Sequence, residues 1–150
     1  MRSTYEQFVG SVQCLYRCIQ KIQRSEMAKY GLKGAHAQCL IAMSRYSDGI
    51  TAAELSQISD KDKAAISRTL SELAQEGLVE RRTKNGNSYR APLFLTQAGQ
   101  DAAAALNERA KFAVEQAGSG LADADRQVFY AALDLIAGNL QRISRDGLAE

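Results

Sequence analysis

The sequence predicts a mostly α-helical fold with a small β wing, a winged helix-turn-helix set between N- and C-terminal dimerisation helices. Three observations carry this. Residues 51–77 spell two successive capped, amphipathic helices; an Asn-Gly turn between short β-prone runs follows at once; and the first and last helices each carry an apolar seam.

Taken in chain order, the first helix places Phe8, Val12, Leu15, Ile19 and Ile22 at alternating steps of four and three, a heptad-like seam. Thr51-Ala52-Ala53-Glu54 is a capping box, in which the Thr hydroxyl takes an orphan N–H three residues on and the Glu reaches back, so a helix starts at Ala52. That helix carries Leu55 and Ile58 inward. It stops in Ser59-Asp60-Lys61-Asp62, where Asp60 or Asp62 can cap the next one. In the second helix Ile66, Leu70 and Leu73 form the buried stripe, Gly77 stands at the left-handed C′ position, and Leu78 closes a Schellman contact onto Leu73. The chain then runs through Val79 to Thr83, turns at Lys84-Asn85-Gly86-Asn87 and returns through Tyr89 to Leu95, the Asn-Gly pair supplying the positive φ angles of a tight hairpin. Pro92 is acceptable on an edge strand. The helix after Thr96 presents Ala102, Leu106, Ala110, Ala113 and Ala117, small enough for close helix approach, and the last helix repeats the seam with Phe129, Leu133, Ile136, Leu140 and Ile143.

Two short helices followed by a hairpin place the second helix where it can enter a DNA major groove. Opposite its buried stripe lie Lys63, Ala64, Ser67, Arg68 and Ser71, with Lys61 just before it. Such a small, hydroxylated, cationic face can approach bases closely, Arg68 being suited to a bidentate contact with guanine. Arg81, Arg82, Lys84 and Arg90 add cations on the hairpin for phosphate or minor-groove contact, and Thr51 and Asn87 complete the candidate DNA-facing set. A Lys/Arg cluster alone is ordinarily a solvated face. Here the charge is segregated: residues 61–90 hold seven Lys/Arg against four Asp/Glu, and residues 97–150 hold five against eight, so a net charge of only +2 conceals a basic end and an acidic end. A winged helix used only for protein assembly would share the core pattern and lack the basic face.

At 150 residues and 45% hydrophobic content the chain suits one compact domain and is not disordered. It shows neither a signal peptide nor a membrane span. Three cysteines without disulfide-framework spacing point to a reducing cytoplasm. A single His without an acid partner in sequence, no Gly-rich phosphate loop and no carboxylate cluster leave no catalytic constellation, so an enzyme is not expected and no cofactor is required. A winged unit of this size cannot cover three long apolar helices by itself. The terminal seams, with Phe8, Val12, Leu15, Phe129, Leu133, Ile136, Leu140 and Ile143 as their contacts, are therefore read as a homodimer interface rather than as the closure of one chain's core.

These residues resemble the multiple antibiotic resistance regulator (MarR) family of bacterial transcription factors over nearly the whole chain. The resemblance rests on Tyr30-Gly31-Leu32 leading to Ala37-Gln38-Cys39-Leu40, Glu54-Leu55-Ser56, the run from Ile66 to Leu73, Gly77-Leu78-Val79-Glu80-Arg81, and Leu95-Thr96-Gln97-Ala98-Gly99. It implies one such domain over 1–150, with the winged helix-turn-helix at about 34–99 and dimerisation helices at about 4–30 and 97–146. It further implies a homodimer on a pseudo-palindromic double-stranded DNA operator, a repressor released by a small-molecule effector. One departure stands out: the family's wing tip usually carries Asp-x-Arg, and this tip is Asn85-Gly86-Asn87, so Lys84 or Arg90 would supply the minor-groove contact. For the effector, His36, Cys39 and Met43 are the candidate pocket residues. The alternative is a thiol or metal signal: Cys14 and Cys18 are four apart and His36 and Cys39 three apart, spacings that share a helical face. Against it, cysteine usually behaves as a buried small hydrophobe, and no metal site is assigned.

Overall fold

The computed structural model of the chain describes residues 1, 3–83 and 91–148. These form, in order, α1 (Thr4–Ala28), α2 (Gly34–Met43), α3 (Ala52–Ser59), α4 (Lys63–Gln75), β1 (Val79–Arg81), β2 (Leu93–Leu95), α5 (Gln97–Ala117) and α6 (Asp123–Asp146). The architecture is the predicted one, helices with a two-stranded antiparallel sheet. The chain divides into two units, Met1–Phe112 and Ala113–Glu150.

In the first unit α2 is the centre. Its sequence is apolar almost all round, so it can only be stable when covered on every side, and α1, α3, α4 and β2 all pack on it. Ala37 and Leu40 have no exposed surface, and Met27, Leu55, Leu73 and Leu106 close the core around them. α1 opens with a capping box: Ser3 Oγ accepts from the Glu6 N–H at 3.1 Å and the Ser3 N–H donates to Glu6 Oε2 at 2.9 Å. At its other end Glu26, nearly covered, accepts from Lys29 Nζ at 2.8 Å and from Arg109 Nε of α5 at 3.0 Å. The Lys29 hydrogen bond, with help from Arg109, holds this carboxyl below the usual carboxylate range.

The helix-turn-helix follows the sequence signals with one correction. Thr51 caps α3, its hydroxyl accepting from the Glu54 N–H at 3.2 Å, and Leu55 is fully buried. Ile58 is not inward but 52% exposed. The packed side of α3 runs through Ala52, Leu55 and Ser59, and Ile58 lies roughly a quarter-turn off that line. Between the two possible caps the structure selects Asp62, whose carboxylate accepts from the Ala65 N–H at 3.3 Å. Asp60 instead ends α3 in the left-handed region at φ 49°, which a short polar side chain tolerates. At the end of α4, the Gly77 N–H donates to the Ala74 carbonyl and the Leu78 N–H to the Leu73 carbonyl, with Gly77 at φ 72°, so the Schellman motif is complete.

β1 and β2 pair with Val79 opposite Leu95, Glu80 opposite Phe94 and Arg81 opposite Leu93. Val79, Leu93 and Leu95 face the core. Ile50 adds a bridge to Leu93 through two backbone hydrogen bonds of 3.1 and 2.9 Å. The preceding Gly49, at φ 89°, leaves room for the Phe94 ring, which would lie 2.6 Å from a β-carbon there. α5 is pinned to the end of α4 through Thr96, whose hydroxyl donates to the Gly77 carbonyl at 2.6 Å and accepts from the Gly99 N–H at 3.1 Å.

In the second unit, Arg126 Nη2 of α6 donates to the Gly118 carbonyl at 2.9 Å. No residue of α6 is buried.

The approach of α5 to the wing depends on Gly99, where a β-carbon would lie 2.0 Å from the Leu78 carbonyl oxygen, a backbone atom that cannot move aside. Gly99→Ala is therefore expected to lower stability by about 1–3 kcal/mol. Gly10→Ala, in open space within α1, should be neutral or raise stability by up to about 1 kcal/mol. Urea unfolding of the two variants measures both, and equal midpoints would refute the backbone clash.

Candidate nucleic-acid interface

α4 is held by its buried stripe, the Asp62 cap and the Schellman end, which leaves one face outward. Lys63, Ala64, Ser67, Arg68 and Ser71 are all exposed on it, as sequence reasoning expected. Ser71 Oγ donates back to the Ser67 carbonyl at 3.0 Å. Arg68 has no hydrogen-bond or ion-pair partner among the described residues. Gln75 shares that exposed side; sequence reasoning passed over it because it closes the helix, although its spacing from Ser71 and Arg68 places it there. Thr51 is half-buried, and its hydroxyl is engaged in the α3 cap, accepting from Glu54 N and donating to Glu54 Oε2 at 2.9 Å. That hydrogen bonding from Thr51 holds the Glu54 carboxyl below its ordinary range.

On the wing, Arg82 is fixed twice. Its Nε and Nη2 donate to Glu80 Oε1 at 2.9 and 2.8 Å, and its guanidinium carbon lies 4.2 Å from the Phe94 ring centre. A guanidinium oriented in this way loses little freedom when it meets a phosphate. Lys84, Asn87 and Arg90 lie outside the described residues.

His36, Cys39 and Met43 are each nearly covered, at 5%, 4% and 3% exposure, and Cys39 and Met43 line different cavities. Cys39 lines a cavity of about 440 Å³ among α1, α2, the end of α3 and the start of α4, with Gln20, Gln23, Arg24, Gln38, Lys61, Ile66 and Thr69. Met43 lines another of about 610 Å³ with Tyr46, Arg82, Phe94, Gln100 and Asn107. His36 is hydrogen-bonded through both ring nitrogens, to the Lys33 N–H at 2.8 Å and to Glu72 Oε2 at 2.6 Å. Apart from Lys61, the first cavity's polar residues were missed because they come from four separate helices. The one local hint was Gly34, over which the stem of Arg24 lies, 2.7 Å from where a β-carbon would be. Cys14 and Cys18 are free and exposed on α1 while Cys39 is buried, and among the described residues no three His, Cys, Asp or Glu side chains gather as metal ligands. Among the same residues, no helix is long and apolar enough to cross a membrane.

With this geometry in place, comparison with known proteins bears on the helix-turn-helix: residues 30–87 match the model of the MarR family. Solved structures extend the likeness of fold to the rest of the chain. A MarR transcriptional regulator from Methanosarcina mazei Go1 is 23% identical with a TM-score of 0.81, the match covering 95% of this chain and 94% of that one. A MarR-family regulator from Silicibacter pomeroyi is 24% identical at a TM-score of 0.69, covering 93% and 96%. A MarR-family regulator from Listeria monocytogenes, solved in complex with a 26mer DNA, is 19% identical at a TM-score of 0.77, covering 100% and 99%. A comparison with curated protein sequences finds no match. The likeness of fold to these structures thus covers the terminal helices as well as the residues that match the family model.

Burial pushes the Cys39 thiol up to about 11, so at neutral pH it is protonated and a poor nucleophile. In a Cys14→Ser, Cys18→Ser variant, iodoacetamide at pH 8 should leave Cys39 unlabelled in the folded protein and label it in urea. Rapid labelling of the folded variant, read by mass spectrometry, would contradict this placement.

Proposed function

We propose that this protein is a homodimeric, sequence-specific DNA-binding transcriptional regulator whose α4 helices enter successive major grooves of a pseudo-palindromic operator. The observation that carries the reading is the exposed α4 face, on which Arg68 stands without a partner among the described residues, on a helix fixed at both ends. In the major groove an unpaired arginine can make both hydrogen bonds to a guanine edge, while Lys61, Lys63 and the oriented Arg82 serve phosphates. The complex of the Listeria monocytogenes protein with DNA supports this use of the fold.

Dimerisation is supported by the terminal helices. Phe8, Val12 and Leu15 of α1 are 37–56% exposed, and Phe129, Leu133, Ile136, Leu140 and Ile143 of α6 are 36–49% exposed, although each set forms a continuous apolar row. Water against two such rows is unfavourable, and a second copy covers both. The regulatory reading is repression relieved by a small effector. The cavity beside Arg24 and Lys61 supports it, offering two cations above an apolar floor of Cys39 and Ile66, a lining suited to a small anion with an apolar body.

Duplexes selected by the protein from a random-sequence pool test the first part. Arg68→Ala should cost about 1–3 kcal/mol on the selected site and relax preference at one position per half-site. Arg82→Ala should weaken binding on all sequences and reduce the salt slope by roughly one. Failure to enrich any sequence would overturn the reading. For assembly, Leu140→Asp places a carboxylate in the α6 row, where burial costs several kcal/mol, and should dissociate or unfold the dimer in sedimentation. A wild-type chain that stays monomeric at high concentration would remove the dimer.

A further inference from the structure

Arg68 and Glu72 stand four residues apart on α4, a spacing at which a cation and a carboxylate on one helix ordinarily meet. They do not meet here. Glu72 Oε2 is bonded instead to His36 Nε2 at 2.6 Å, and Arg68 is left without a partner among the described residues. The ring is itself held in place: it is nearly covered, and its Nδ1 accepts the Lys33 N–H at the start of α2 at 2.8 Å. With Nδ1 accepting, the ring's proton is on Nε2 and is donated to Glu72. Glu72 is 45% exposed on its side chain, so its alternative bond to Arg68 would be a weak surface pair. A short bond to a ring fixed by backbone is enough to outcompete it.

We propose that His36 is a positioning residue for DNA recognition: by holding Glu72 against α2 it keeps that carboxylate off Arg68 and leaves the arginine free to contact a base. The proposal rests on the reading of α4 as the DNA-contacting helix. Without the histidine bond, Glu72 would turn to Arg68 and also set a negative charge beside the DNA phosphates, opposing association twice over.

Three variants test it on a duplex selected by the wild-type protein, with affinity measured by fluorescence anisotropy and folding by thermal melting. His36→Asn retains an acceptor where Nδ1 stands and is too short to reach Glu72. It should weaken operator binding by roughly two- to tenfold. Glu72→Asp, which leaves the core untouched, shortens the carboxylate away from the ring while keeping its charge, and should weaken binding likewise even if His36→Asn folds poorly. Glu72→Gln removes the charge. It should bind at least as tightly as wild type, and adding it to His36→Asn should restore affinity to within about twofold of Glu72→Gln alone, a rescue that a purely packing role for His36 would not give. A double variant as weak as His36→Asn, or Glu72→Asp binding as wild type, overturns the proposal. Arg68→Ala separates the two levels: if it leaves operator binding intact, the reading of α4 falls and the proposal with it; if it weakens binding and no rescue occurs, the proposal alone falls.

Discussion

The burial of the apolar side of α2 is the constraint on which the rest of the first unit depends. A ten-residue helix with Ala37, Cys39, Leu40 and Met43 directed inward cannot stand in water. The chain meets that demand by wrapping α1, α3, α4 and β2 around it. The orientation of the outward face of α4 follows, because Ile66, Leu70 and Leu73 must reach the same core. Between α2 and α4 stands His36, bonded to Glu72, and both of its nitrogens are satisfied. In a covered position an unpaired ring nitrogen would be costly, so the histidine fixes a register between the two helices that apolar contact alone would leave free to slide.

Local signals made much of this module legible. The Thr51 box, the Gly77 end and the Ile66, Leu70, Leu73 stripe each depend on residues within a few positions of one another, and spacing alone reveals them, whereas for the α4 cap it left Asp60 and Asp62 as alternatives. The Ser3 box on α1 has the same signature and was equally readable. Ile58 shows the limit of periodicity: three residues after a buried leucine it satisfies a helical pattern, yet α3 is short and packs on a narrow line, so the pattern's edge stays in water. The contacts that shape the site were not readable, because they join residues far apart in the chain. His36 meets Glu72, Glu26 meets Arg109, Ile50 bridges Leu93, and the cavity draws on four helices. Cys39 and Met43, two of the candidate pocket residues on one helix, line two different cavities.

The described residues leave two kinds of surface incomplete, and the two differ in physics. The apolar rows of α1 and α6 lack a cover, a deficit that only dry contact removes. The α4 face presents exposed cations, Arg68 without a partner among the described residues, a deficit of the kind that a hydrated polyanion meets. One partner cannot answer both. In the proposed dimer, a second copy that covers the rows by the common two-fold arrangement brings a second α4 related to the first by that axis, and two identical helices so related would match a DNA site whose halves are inverted repeats. The proposed palindromic operator and the proposed dimer are therefore one proposal and not two, supported together by the exposed apolar rows and by an Arg68 that has no partner among the described residues.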